Sequence, residues 1–314
     1  KALAVLGETA PTLHRYPDGG AFRLRGALAE RWKVTPDHVI LGNGSDEILG
    51  LLARTFLSPG DEAVMAEHTF VIYKMEVKAA HGVAVEVPQK NWRHDLPAMA
   101  AAITDKTRLL FVCNPNNPTG TMATKAEVAA LMARVPDHVV VVFDEAYYEY
   151  VRHPEFPESL SYVNAGRNVI VLRTFSKIYG LAGLRIGYGM TTPEITNYLN
   201  RIRPPFNANS MAQRAALAAL DDEAHVGASR ALNHAEMDKV RTGLLTLGFE
   251  ALPSETNFLY FDVGRDGREV FDALLRKGII VRHIDGRMLR VTIGLPEENQ
   301  LFLSALADVT RAAR

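Results

Sequence analysis

Five apolar residues in a row, Val139-Val140-Val141-Val142-Phe143, run straight into two acids, Asp144-Glu145. A strand with one wet face alternates apolar and polar side chains. An unbroken Val-rich run instead reads as a strand covered on both faces. Comparable short runs stand at Val39–Leu41, Ala63–Ala66, Val83–Val87, Leu109–Cys113, Val169–Leu172 and Leu184–Gly189. Helical patterns lie between them, at Ser45–Phe56, Thr124–Arg134 and Met211–Leu220. Thr124, with Glu127 three positions on, makes a capping-box start. Alternating strands and helices predict an α/β fold, with a mainly parallel seven-stranded sheet sandwiched by helices.

Past Asp221 the rhythm changes. One helical stretch runs from Asp222 to about Leu247 and stops at Gly248. Strand-like runs follow at Phe258–Val263, Ile279–Arg282 and Leu289–Ile293, and a helix from about Glu297 to Arg314 closes the chain. This predicts a large domain over residues 35-247 and a smaller α+β domain over residues 248-314. A chain of 314 residues is long enough for that arrangement. It opens on Lys1-Ala2-Leu3 as if a segment preceded it.

Composition removes several functions. The formal net charge of -1 offers no broad field of one sign to nucleic acid or an anionic membrane. No apolar run reaches the roughly 18 residues of a membrane span. One cysteine, Cys113, builds neither a disulfide nor a CxxC site, which points to a reducing, cytoplasmic setting. The ten histidines include no HExxH spacing, so no metal is expected. Neither a GxSxG elbow nor a GxxxxGK[ST] loop is present.

In open α/β sheets, ligands gather beyond the carboxyl ends of the strands, and the polar motifs fall at four such ends. Gly42-Asn43-Gly44-Ser45-Asp46-Glu47 opens a helix, where free amides suit a phosphate. A plain turn capped by Ser45 or Asp46 would read the same way. A dinucleotide site would need a third glycine where Glu47 stands. Asn114-Pro115-Asn116-Asn117-Pro118-Thr119-Gly120 is a turn by composition. Asp144 closes a third strand, with Tyr147 three residues on. Thr174-Phe175-Ser176-Lys177 follows a fourth, and Arg185 comes eight residues later. A lone lysine is most often a solvated surface residue. A lysine just past a buried strand can instead be desolvated, which lowers its pKa and favours imine chemistry. Two hydroxyls and an arginine beside it suit a phosphate dianion.

In order and spacing, these stretches resemble the fold-type I pyridoxal-phosphate aminotransferases. So do His14-Arg15-Tyr16-Pro17, Arg203–Asn209 and Leu289-Arg290-Val291-Thr292-Ile293-Gly294. More narrowly, the chain looks like the histidinol-phosphate aminotransferases. The resemblance implies pyridoxal 5'-phosphate held by Lys177 as a Schiff base, with Asp144 on its ring nitrogen. It implies Asn117 and Tyr147 on the phenolic oxygen, and Phe70 stacked on the ring. Ser45, Asp46, Thr174, Ser176 and Arg185 would surround the phosphate. Tyr16 would reach the phosphate of a neighbouring subunit in a homodimer with shared sites. Residues 1-34 would form an N-terminal segment contributing to the small domain and to dimer contacts. Arg290 and Arg282 would hold the substrate's anionic group, with Asn257 supporting it and Phe206 lining the pocket across the interface.

The implied reaction is ping-pong transamination of histidinol phosphate with glutamate and 2-oxoglutarate. Aromatic amino-acid transamination and threonine-phosphate decarboxylation are the neighbouring alternatives, and a catalytically silent binding protein is the alternative of a different class. The family pattern also carries an Asn-Glu-Asn-Pro-like stretch before the segment matching Lys1-Ala2-Leu3, and several relatives have a longer stretch between Arg282 and Arg290.

Overall fold

The apolar runs become strands of one sheet. The structure, a computed structural model, describes residues 1–311. The strands are β1 (Val39–Gly42), β2 (Glu62–Ala66), β3 (Val83–Val87), β4 (Thr107–Cys113), β5 (Val140–Asp144), β6 (Val169–Thr174) and β7 (Gly187–Thr191). Across the sheet the order is β1-β7-β6-β5-β4-β2-β3. Strands β2 to β6 run parallel, while β7 is antiparallel to both β6 and β1. The carboxyl ends of β1, β4, β5 and β6 therefore share one edge.

Side-chain parity explains why the runs are unbroken. Leu110, Val112, Val141, Phe143, Val169 and Val171 point into one core. Their sequence neighbours Leu109, Phe111, Val140, Val142, Ile170 and Leu172 point into the other. Helices cover both faces, so neither set meets water. Helices Phe22–Trp32, Lys125–Met132 and Ser210–Leu220 pack on the first face. Ser45–Phe56, Ile72–Ala79 and Pro193–Ile202 pack on the second. Each fully buried Val or Leu contributes about 1.5–3 kcal/mol.

The capping box is present: the Thr124 side chain accepts from the Glu127 amide, and Glu127 accepts from the Thr124 amide. The sequence expectation of a strand at Leu184–Gly189 is corrected. Ala182–Leu184 is a 3-10 turn, and Arg185 has a left-handed φ of 57°, so extended pairing starts only at Gly187.

A second sheet is antiparallel, with β8 (Phe258–Asp262), β9 (Arg282–Asp285) and β10 (Met288–Thr292) in the order β8-β10-β9. The expected strand at Ile279–Arg282 is also corrected. Helix Gly267–Arg276 ends with Gly278 at φ 79°, and the amides of Gly278 and Ile279 return to Leu275 and Leu274. That is a Schellman cap, whose apolar residue after the glycine is Ile279. The apolar run serves the helix end, and the strand begins later. Helix Glu223–Thr246 ends the same way at Gly248, and it places Val226 in the first core and Met237, Val240 and Leu244 in a third. The last helix spans Pro296–Arg311, and the remainder of its expected range, residues 312-314, lies outside the described residues. Among the described residues no helix is long and apolar enough to cross a membrane.

Candidate active site

The edge where four strands end is hollow. Beyond β1, the helix Ser45–Phe56 begins after Gly44, whose φ is 80°. No side chain caps this helix, so its first turn presents amides to the hollow. A Cβ on Gly44 would lie 2.5 Å from Nη2 of Arg185, so glycine is what lets the guanidinium approach. Arg185 also stands 3.5 Å from Oδ2 of Asp46. Beyond β6, the Ser176 amide donates to Thr174 Oγ1 at 3.0 Å, turning the chain so that Lys177 follows.

Asp144 ends β5 and is 3% exposed. Its Oδ2 accepts a hydrogen bond from the Tyr73 hydroxyl at 2.7 Å, while its Oδ1 is buried without a partner. Burial pushes its carboxyl up to about 6, against the pull of Tyr73. Burial holds the Lys177 ammonium below the usual lysine range, and the Arg290 charge pushes the same way. Lys177 Nζ lies 5.4 Å from the Tyr147 ring centre. Tyr147 is itself buried, which raises its phenol above the ordinary value.

One cavity of about 170 Å³ is lined by Ser45, Asp46, Phe70, Asn117, Asp144 and Tyr147, together with Thr174, Ser176, Lys177 and Arg185. A second, of about 410 Å³, shares Phe70, Asn117, Tyr147 and Lys177 with it and adds Arg282, His283 and Arg290. The two hollows thus adjoin at Lys177. Arg290 Nη1 donates to Asn117 Oδ1 at 2.5 Å, and Arg290 Nε is buried and unpartnered.

The loop holding Asn117 is fixed by its neighbours. Asn114 exchanges two hydrogen bonds with the Ala123 backbone. Asn116 donates to the His68 carbonyl and to Thr119, and accepts from Thr69. Asn117 is left to face the hollow. An amine of lowered basicity, a buried carboxylate with a vacant oxygen, an anion cradle and two arginines therefore line two adjoining hollows. The set can hold a dianion and a cationic ring nitrogen, and can move a proton.

The family model for aminotransferase class I and II matches residues 3–306. The chain belongs to that family. It is 51% identical to a histidinol-phosphate aminotransferase of Moorella thermoacetica, over 98% of this chain and 81% of the relative. It is 49% identical to histidinol-phosphate aminotransferase 2 of Pseudomonas fluorescens, over 100% of this chain and 86% of the relative. Among solved structures it superposes on a histidinol-phosphate aminotransferase from Sinorhizobium meliloti in complex with pyridoxal-5'-phosphate. The TM-score is 0.95 at 30% identity, covering 100% of this chain and 87% of that one.

Three residues expected in the aminotransferase site line neither hollow. Tyr16 is 83% exposed and stacks on Phe206 with ring centres 4.8 Å apart. Asn257 accepts through its backbone carbonyl from the Ile293 amide, tying the start of β8 to the segment after β10. Sequence reading missed Tyr73, the partner of Asp144. Its only signal is its place in the first turn of the helix Ile72–Ala79, three residues after Phe70, which precedes that helix. Reading also left Glu145 without a task. It forms a buried ion pair with Arg173 at 2.8 Å, and the guanidinium lies between the rings of Trp32 (3.9 Å) and Tyr148 (3.4 Å).

Gly187 at the start of β7 backs the anion cradle of this aminotransferase. A Cβ there would come within 2.9 Å of the Gly44 carbonyl carbon and 3.0 Å of Ser45 Cα. Backbone cannot swing aside as a side chain can. Gly187→Ala is expected to cost about 1–3 kcal/mol, seen in thermal melting, and to reduce cofactor retention measured after gel filtration.

Proposed function

We propose that this aminotransferase is a pyridoxal-phosphate enzyme that interconverts histidinol phosphate and its keto counterpart, with glutamate and 2-oxoglutarate as the second pair. One observation carries the reading. The Lys177 amine and the vacant oxygen of Asp144 line the same hollow, and Arg282 and Arg290 line the one beside it. The names of relatives at about half identity support the substrate.

The residues fit the cofactor. Asp144 Oδ1 lacks a partner in a buried place, which suits a protonated ring nitrogen. The amides of Ser45 and Asp46, with Thr174, Ser176 and Arg185, would hold the phosphate. Phe70 would cover the ring, and Asn117 and Tyr147 would meet the phenolic oxygen. When bound, the ring supplies an electron sink for the pair left as substrate Cα loses its proton. Lys177 Nζ, desolvated and less basic than a surface lysine, takes that proton from Cα. Arg290 and Arg282 hold the substrate's anion, since a guanidinium fork accepts a phosphate monoester or a carboxylate. Asn257, which directly precedes β8, would support the carboxylate site.

In this reading residues 35-247 hold the cofactor, and residues 248-314 bring Arg282 and Arg290 to it. Residues 1-34 serve contacts with a second subunit, as a homodimer with shared sites. The exposed Tyr16, Phe22 and Phe206 support that assembly. In it, Tyr16 reaches the neighbour's phosphate and Phe206 lines the neighbour's substrate pocket. A cytoplasmic location fits the single, buried, unpaired Cys113.

The visible band of the holoenzyme, followed with one amino donor at a time, tests the substrate. Histidinol phosphate and glutamate should each convert the band. Conversion by phenylalanine or tyrosine but not histidinol phosphate would replace the reading with aromatic transamination. Carbon dioxide released from threonine phosphate would replace it with decarboxylation.

A further inference from the structure

Tyr73 is a fully buried side chain, 0% exposed, whose hydroxyl donates to Asp144 Oδ2 at 2.7 Å. Its ring lies flat on Phe111, with centres 4.7 Å apart and planes 7° apart. Its edge meets Phe70, with centres 5.7 Å apart and planes at 88°. Phe111 is a strand residue of β4, so the phenol is clamped against the sheet. Tyr73 thus touches both the carboxylate at the floor of the hollow and the aromatic ring at its wall. The other carboxylate oxygen, Oδ1, is buried and unpaired. A hydrogen bond from a fixed phenol orients the carboxylate and favours its ionised form.

Resting on the cofactor reading above, we propose that Tyr73 is a positioning residue: it keeps the Asp144 carboxylate ionised and aimed so that the proton of the pair stays on the cofactor's ring nitrogen, and it seats Phe70 against the ring. The opposing tendency is present. Burial, with the nearby Asp46 charge, drives Asp144 toward its neutral form, and Lys177 pulls the other way. Cys113 lines the same cavity, but burial raises its thiol to about 12, so it brings no charge. In a desolvated pair, a weaker acid takes the shared proton. Without the Tyr73 hydroxyl, Asp144 therefore draws the proton off the ring nitrogen, leaving two neutral partners. A hydrogen bond to a charged group supports about a tenfold loss of cofactor affinity on its removal.

The test uses holoenzyme carrying cofactor labelled with ¹⁵N at the ring nitrogen, read by NMR near neutral pH. Wild type should give the protonated ¹⁵N shift. Tyr73→Phe keeps both ring contacts and loses the hydroxyl, so its signal should move toward the unprotonated value. Its cofactor affinity, from equilibrium dialysis, should fall about tenfold. Tyr73→Leu should lose more affinity, because Phe70 loses its backing as well. Ring-fluorinated tyrosine at position 73 preserves shape and makes the phenol a stronger donor, so the pH at which the ¹⁵N signal leaves its protonated value should rise above that of wild type. This variant keeps the test decisive if Tyr73→Phe does not fold. A ¹⁵N shift unchanged in Tyr73→Phe, or a fluorotyrosine titration that is unchanged or moved to lower pH, overturns the role of Tyr73 and leaves the cofactor reading standing. Wild type that takes up no labelled cofactor overturns both.

Discussion

Lys177→Ala is expected to lower turnover by about 10⁴-fold or more, measured with saturating amino donor and added cofactor. On the proposed reading, the size follows from two functions on one atom. Lys177 lines both hollows, so its amine stands where the cofactor's phosphate cradle and the arginine-lined substrate space adjoin. Burial and the Arg290 charge depress its proton affinity, which favours the neutral amine that both functions use. Alanine removes the attachment and the proton carrier together. Cofactor held only by the phosphate cradle and Asp144 should remain, so the variant should still bind it by dialysis while turnover collapses.

Asp144→Asn is the second large effect. An amide has nearly the same shape and can still meet the Tyr73 hydroxyl, so the fold should survive, with thermal melting of the apoprotein close to wild type. The negative charge is gone from a site 3% exposed, however, and nothing else among the lining residues can face a ring nitrogen with a buried vacant oxygen. Breaking a buried ion pair costs about 3–5 kcal/mol, and a loss of that size in transition-state stabilisation lowers turnover by about 10²–10⁴-fold. The effect should appear as a slower proton abstraction from Cα, read as an enlarged deuterium isotope effect on the half-reaction. A wild-type rate would mean that another group protonates the ring.

Much of this was legible because the sheet is buried on both faces. That burial forces near-continuous apolar runs, and the polar residues directly after them must then sit at strand ends. Asp144, Lys177, Asn117 and Ser45 were found that way. Tyr73 was not, because the helix Ile72–Ala79 starts from Val71 without a polar cap, and a tyrosine among apolar residues reads as core. It is core, and its hydroxyl is the exception. The run at Ile279–Val281 misled for a related reason: a Schellman cap needs an apolar residue where a short strand would also place one. Arg185 broke the expected strand at Leu184 because its backbone is left-handed, and no side chain but glycine or asparagine announces that conformation. Tyr16 and Phe206 line neither hollow; in the proposed homodimer their work belongs to a neighbouring subunit's site.

The central claim is that one particular amine holds the cofactor. Borohydride reduction of the holoenzyme, followed by peptide mass mapping, tests it most directly. A single peptide carrying the reduced cofactor on Lys177 is the predicted result. Cofactor fixed to any other lysine, or none fixed in protein that turns over normally, would contradict it.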